Sequence, residues 1–145
     1  MKINGNIIIT TIGIIGGYIA NLFGGWDTGL TTLAIFMAID YITGLTVAGI
    51  FHKSKKTETG TLESRAGFKG LCKKGMILLV VLIAYRLDIV IGSNFIRDAV
   101  LIGYIINETL SIIENAGLMG LPIPNAITKG IDILKEKEEN NNNAK

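Results

Sequence analysis

Seven ionisable side chains interrupt the apolar runs of this sequence. Asp40, Asp88, Asp98, Glu108 and Glu114 are the acids, and Arg86 and Arg97 are the bases. A carboxylate in an apolar segment must be protonated, wetted, or paired with a cation, because an isolated charge there is costly. The densest case is the stretch YIINETLSIIENAGLMGLPIP, residues 104–124. Read as a helix, Arg97, Tyr104, Glu108, Ser111 and Asn115 recur at spacings of three, four and seven, with Leu101 in the one gap. That spacing lays a polar stripe on one face and leaves Ile102, Ile106 and Ile113 on the other. The stripe is expected to face a lumen or a contact between protomers, and the carboxylate excess is expected to be met by water within an assembly. Arg86 is the expected partner of Asp40.

Catalysis is not among the chemistries these residues support. Ser111 has no His or Lys at a spacing that would activate it, and His52 and Cys72 are the single histidine and cysteine of the chain. There is no nucleophile–base pair, metal-ligand cluster or phosphate-binding glycine loop. No enzyme activity, cofactor or metal is therefore expected. His52 is expected to be a solvated loop residue, and Cys72 a buried or interfacial thiol.

The elements that must carry these charges are membrane helices. Of 145 residues, 49% are hydrophobic, and the mean hydropathy is +0.48, both high for a soluble domain. Four apolar runs are read as spans, over residues 7–23, 28–51, 75–91 and 95–117. The first has the length of a signal-peptide core but lacks a small-x-small cleavage site, so it is read as an uncleaved span. Gly13 and Gly17 give it small residues at four-residue spacing, a pattern that permits close helix packing in lipid. Trp26 marks an interfacial turn. Residues 52–74 are read as a basic loop, in which Lys53, Lys55, Lys56, Arg65, Lys69, Lys73 and Lys74 outnumber Glu58 and Glu63. Residues 125–139 place Ile127, Ile131 and Leu134 at helical spacing, which predicts an amphipathic helix on the membrane surface or against a partner. The Asn-rich residues 140–145 are read as a disordered tail. The fold class is thus an all-α integral membrane protein, a single domain over residues 1–139. It has three or four spans, and charge counting favours four.

With four spans, twelve of the fourteen Lys and Arg residues fall on one side: Lys2, the seven of the basic loop, and Lys129, Lys135, Lys137 and Lys145. The turns at Trp26 and Ser93 hold none. The positive-inside rule then puts both termini and the basic loop in the cytoplasm. Topology and contact with anionic lipid headgroups account for the basic loop, and nucleic acid is not an implied partner.

Several blocks resemble one family. Asp40-Tyr41-Ile42-Thr43-Gly44 is followed by Ser64-x-x-Gly67-Phe68-Lys69-Gly70-Leu71-x-Lys73-Lys74, then Ala84-Tyr85-x-x-Asp88 and Arg97. The last and most distinctive block is Tyr104-Ile105-Ile106-Asn107-Glu108, Leu110-Ser111-Ile112-x-Glu114-Asn115 and Gly120-Leu121-Pro122-Ile123-Pro124. Together they resemble the holins of phage lysis cassettes and clostridial toxin-secretion loci, over about residues 33–134. The resemblance implies a non-enzymatic protein of the bacterial cytoplasmic membrane that gathers into homo-oligomers and opens large lesions. A muralytic enzyme or a large toxin would pass through them. It carries over Asp40, Gly44, Lys69, Gly70, Glu108, Ser111 and Glu114 as motif positions. Asp40, Gly44, Arg86, Asp88, Arg97, Glu108, Ser111 and Glu114 are the candidates for pore lining or assembly. A shorter product from a second start is not expected, since the next methionine, Met37, would remove the first span. A lesion ~40 Å across has a rim of roughly 125 Å and needs at least ~12 helices about 10 Å wide, more than one chain supplies.

Two other classes compete. A small ion channel or proton-coupled transporter would use Asp40 and Glu108 as ion ligands, but neither an inverted repeat nor a broken midplane helix is visible. A membrane anchor for a larger complex would need a partner-binding soluble region, and only the short tail is available. The topology is directly testable. With Cys72 replaced by Ser, Trp26→Cys and Ser93→Cys should react with a membrane-impermeant maleimide in intact cells, whereas Lys55→Cys should not. Labelling at position 55 in cells that still hold their membrane potential would reverse the assigned orientation.

Overall fold

The computed structural model describes residues 5–143. Among them are five α-helices and no strand: α1 (Gly5–Leu22), α2 (Thr28–Thr46), α3 (Ser64–Ile91), α4 (Ile96–Leu118) and α5 (Asn125–Asn143). A π-helical turn, Val47–Phe51, prolongs α2. By length and composition, α1 and the continuous Thr28–Phe51 helix are apolar enough to cross a membrane.

Local chemistry sets the ends of these helices. The turn after α1 is made by Gly24 and Gly25, both at positive φ, with the Gly25 amide donating to the Ala20 carbonyl at 2.9 Å. Only glycine suits position 24. Its φ is +83°, and a Cβ there would lie 2.6 Å from the Tyr85 ring. Asp27 then caps α2, its Oδ1 accepting from the Leu30 amide at 2.9 Å, as short oxygen-bearing side chains do at helix starts. Gly92 ends α3 in the left-handed region, its amide donating to the Asp88 carbonyl. α4 has no capping side chain of its own at Phe95. The cap comes from α3: Asp88 accepts from the Ile96 amide at 3.0 Å, the Arg97 amide at 2.8 Å and the Ser93 hydroxyl at 2.5 Å. Gly120, Pro122 and Pro124 separate α4 from α5.

α4 is the central helix, packed on α2, α3 and α5, while α2 and α3 touch only sparingly. α2 and α4 run parallel, with α3 antiparallel between the same two ends. Leu30, Leu33 and Met37 of α2, Ile77 and Val81 of α3, and Leu101 and Ile105 of α4 form the core. On α3 the inward seam is Lys74, Ile77, Val81, Ala84 and Asp88, spaced alternately by three and four. In lipid such a core gives dispersion and fit more than transfer energy, since acyl chains are as apolar as Leu. α1 has no buried residue, and nothing lies within 4 Å of a Cβ added at Gly13 or Gly17. The small-residue face expected to pack is therefore open in the single chain.

Three boundaries differ from the sequence reading. The basic loop was expected to run to residue 74, but α3 starts at Ser64. Arg65, Lys69 and Lys73 recur every four residues on its exposed face, while Ala66, Gly67, Gly70 and Lys74 turn inward. The loop is one helical face plus the segment 52–63. The Asn run was expected to be disordered, yet α5 continues through Asn143 with no Gly or Pro after Gly130 to stop it; residues 144–145 lie outside the described residues. Lastly, the apolar seam of α5 docks on α4 of its own chain.

The cross-helix cap at α4 is a simple stability test. Asp88→Ala should cost about 1–2 kcal/mol, as loss of a good N-cap does, and Asp98→Ala, an exposed change, under about 0.5 kcal/mol. Thermal unfolding in mild detergent, followed by circular dichroism, would read both.

Candidate functional site: a buried ion cluster between three helices

Lys74 reaches from α3 into the bundle and places its ammonium between two carboxylates. Its Nζ lies 2.7 Å from Asp40 Oδ2 on α2 and 2.5 Å from Glu108 Oε2 on α4. The Lys74, Asp40 and Glu108 side chains are 11%, 7% and 8% exposed. Asn115, two turns further along α4, donates to Asp40 Oδ1 at 3.2 Å and to the Thr43 hydroxyl at 2.9 Å. No buried side-chain nitrogen or oxygen among the described residues lacks a partner. Gly44 borders the cluster, where a Cβ would meet Asn115 Nδ2 at 3.8 Å and Lys56 Nζ at 3.9 Å, ordinary contact distances.

The cluster forms one wall of a cleft of about 640 Å³, opening where α2 and α3 diverge. Tyr41, Lys56, Lys69, Lys73, Tyr104 and Ser111 are among its other lining residues. Ser111 is half-buried there, whereas Glu114 is exposed and paired with Lys55 at 2.6 Å.

A second lock sits at the opposite end of α4. Arg97 is buried, its Nη1 2.6 Å from Asp27 Oδ2, its Nε 2.6 Å from the Phe23 carbonyl, and its Nη2 near the Gly25 carbonyl. The Arg97 hydrogen bond, set against the cost of burial, holds the Asp27 carboxyl below the usual range. Asp98 lies 3.6 Å from the same guanidinium.

Several expectations change. The polar stripe of α4 points into the protomer, where Arg97, Glu108 and Asn115 are buried and Tyr104 and Ser111 line the cleft. Asp40 pairs with Lys74 and not with Arg86, which is exposed and forms no ion pair among the described residues. The reason is placement: Arg86 lies off the inward seam of α3 and nearer the Gly92 end, whereas Lys74 continues that seam. Lys74, assigned to lipid headgroups with its neighbours, is instead the central cation of the site. Within the single chain Lys74 contacts two of the carboxylates, Lys55 a third and the α4 amides a fourth, and Arg97 lies 3.6 Å from the fifth, Asp98. Lys53, Lys56, Arg65, Lys69 and Lys73 are exposed, as is Cys72, which had been expected at a buried or interfacial position. The signal that would have found Lys74 was its three-residue spacing from Ile77 on the core seam.

The arrangement holds helices together and has no reactive group poised on a substrate. Similarity to known proteins agrees. The bacteriophage holin family matches residues 17–136. The chain belongs to that family. It is 40% identical to the uncharacterized protein Lin0175 of Listeria innocua, over 90% of this chain and 89% of that one. It is 36% identical to the uncharacterized protein CPE0383 of Clostridium perfringens, over 92% and 96%. A probable holin of Bacillus phage phi105 is 32% identical over 76% of each chain. No solved structure matches the chain. Membership of the holin family makes it a non-enzymatic protein of the cytoplasmic membrane.

The cluster should behave as one unit. Lys74→Met strands two buried carboxylates and should cost about 3–5 kcal/mol in detergent unfolding, while the triple change Lys74→Met, Asp40→Asn, Glu108→Gln should recover most of it. Arg86→Gln should stay within about 0.5 kcal/mol of the parent. A destabilised Arg86→Gln beside an unaffected Lys74→Met would contradict the pairing.

Proposed function

We propose that the chain is a holin with four spans and cytoplasmic termini that homo-oligomerises and opens lesions between its copies. A lysis enzyme, or a large toxin in a secretion locus, is the cargo that such lesions release. The carrying observation is the filled interior of the protomer: Leu33 and Val81 are fully inaccessible, and the core leaves no path along the bundle. Passage must therefore run between chains. The rival role as ion channel or proton-coupled transporter would use Asp40 and Glu108 as ion ligands, but the Lys74 ammonium already sits between them.

The lesion forms when the protomers reach a critical arrangement, and each bundle carries its buried charges intact through that step as it shifts and turns in the membrane field. A charge moved across the full membrane potential contributes about 2.3 kcal/mol per 100 mV. The excess negative charge within each cluster therefore links assembly to the potential.

Induced expression in bacteria, with optical density and membrane potential followed together, tests this reading. The expected record is a sudden loss of potential at a fixed time, followed by lysis when a muralytic enzyme is co-expressed. At matched protein levels, Glu108→Gln and Asp40→Asn should shift that time by more than about twofold, and Glu58→Gln and Glu63→Gln in the exposed segment by much less. The reading fails if potential declines gradually from the start of expression, as it would through a small permanently open channel.

A further inference from the structure

We infer that the wet wall of the lesion is α5: docked along α4, it turns its charged face to water in the open assembly. The inference rests on the lesion-forming reading above and identifies the surface that reading leaves open once the α4 stripe is placed inside the protomer.

Depth is the deciding observation. α2, with its continuation to Phe51, is apolar enough to cross a membrane, and α4 lies beside it from the Arg97–Asp27 contact to the Asn115–Thr43 contact. α5 starts where α4 ends and returns along it. Leu134 packs on the core cluster of Leu33, Val81 and Leu101, and Glu138 reaches Gly103, where a Cβ would lie 2.7 Å from its Oε1. Its 19 residues extend about 28 Å as a helix, nearly the thickness of a hydrocarbon core. α5 is therefore level with the apolar belt of the bundle.

Its two faces differ in kind. Ile131, Leu134, Glu138 and Asn141 face α4 at alternating spacings of three and four, with Ile131 buried. Lys129, Asp132, Lys135, Glu136, Lys137 and Glu139 are exposed. Acyl chains cannot solvate six such groups, and the helix offers no depth to which all could snorkel. Elsewhere the same belt is greasy: Ile35, Ile39 and Ile42 of α2 and Leu79, Ile83 and Val90 of α3 are exposed. The bundle is thus two-sided, lipid-compatible on α2 and α3 and water-compatible on α5. A rim of such protomers gives a lumen carrying both signs of charge. In a protomer surrounded by lipid, the docked α5 is excluded and the helix stays at the cytoplasmic surface. Docking accompanies opening.

The test is a cross-link across the α4–α5 seam in the full-length protein, with Cys72→Ser. Gly103→Cys with Glu138→Cys is the first pair, and Val100→Cys with Asn141→Cys, one turn outward, guards against a fold-specific failure of the first. Cells are sampled through the loss of membrane potential with a short membrane-permeant bis-maleimide. The cross-linked fraction should be low before the collapse and rise by roughly fivefold or more with it, as expected of a docking step tied to opening. A normal collapse with a flat cross-link signal in both pairs overturns the docked wall while leaving the lesion-forming reading intact. Full cross-linking before the collapse overturns the coupling of docking to opening. If the unmodified chain never collapses the potential, the lesion-forming reading and this inference fall together.

Discussion

The structure depends on one ammonium shared by two carboxylates on different helices. Lys74 is the polar link that holds α3 to both α2 and α4, and without it the sparse contact between α2 and α3 would leave that half of the bundle with a weaker register. A one-residue slide of α3 would move the ammonium by 1.5 Å and turn it by 100° away from the pair. Buried ion pairs add little net stability, because desolvation offsets most of their attraction, yet breaking one is expensive. The cluster therefore selects a single arrangement of helices more than it strengthens it. One cation against two anions leaves an excess negative charge, and Lys56, whose Nζ comes within 3.9 Å of the Gly44 site, offsets it from the cleft rim.

Arg97 does the corresponding work at the other end. It gathers the Phe23 and Gly25 carbonyls and Asp27 onto the start of α4, which Asp88 caps from α3. One residue thereby satisfies the turn after α1, the cap region of α2 and the first turn of α4. With a lock at each end and an apolar core between them, α2, α3 and α4 form a rigid unit. α1 is mounted on it with hardly any contact, and α5 docks on α4. α1 leaves from a fixed turn and touches little else, so its apolar surface is available to lipid or to other copies. This division puts the freedom to rearrange at the periphery of the protomer and not in its core.

Much of this could be read from the sequence. The apolar runs located the helices, the turns read at Trp26 and Ser93 fall between helices, and the stripe on residues 97–115 was a genuine helical face. What failed was its partner assignment. A polar stripe on a membrane helix looks the same whether it faces water or a second polar helix, and only tertiary register separates the two. Arg86 was close to Asp40 in apparent depth, but depth is not azimuth: Lys74 shares the face of Ile77 and Val81, and Arg86 does not. The start of α3 was hidden for a related reason. A basic segment reads as a loop when average hydropathy is weighed, although Arg65, Lys69 and Lys73 keep a four-residue period through it. α5 was legible as amphipathic, and its length gave no sign that its apolar seam would find α4.

These placements bear on the proposed lesion, which protomers with a filled apolar core would have to form between one another. The carboxylate of the α4 stripe, Glu108, is used inside the protomer, and the exposed carboxylates of the helix are Asp98, beside Arg97, and Glu114, which engages Lys55. Exposing the Asp40–Lys74–Glu108 cluster to line a channel would require breaking three helices apart. Turning an intact bundle so that its charged helix meets water requires only that neighbouring copies meet through their other faces. The second route preserves all the buried pairs, and the free energy of opening then lies in contacts between chains and in the position of α5. A closed, rigid core is thus compatible with sudden opening, because the step that creates the hole leaves that core unchanged.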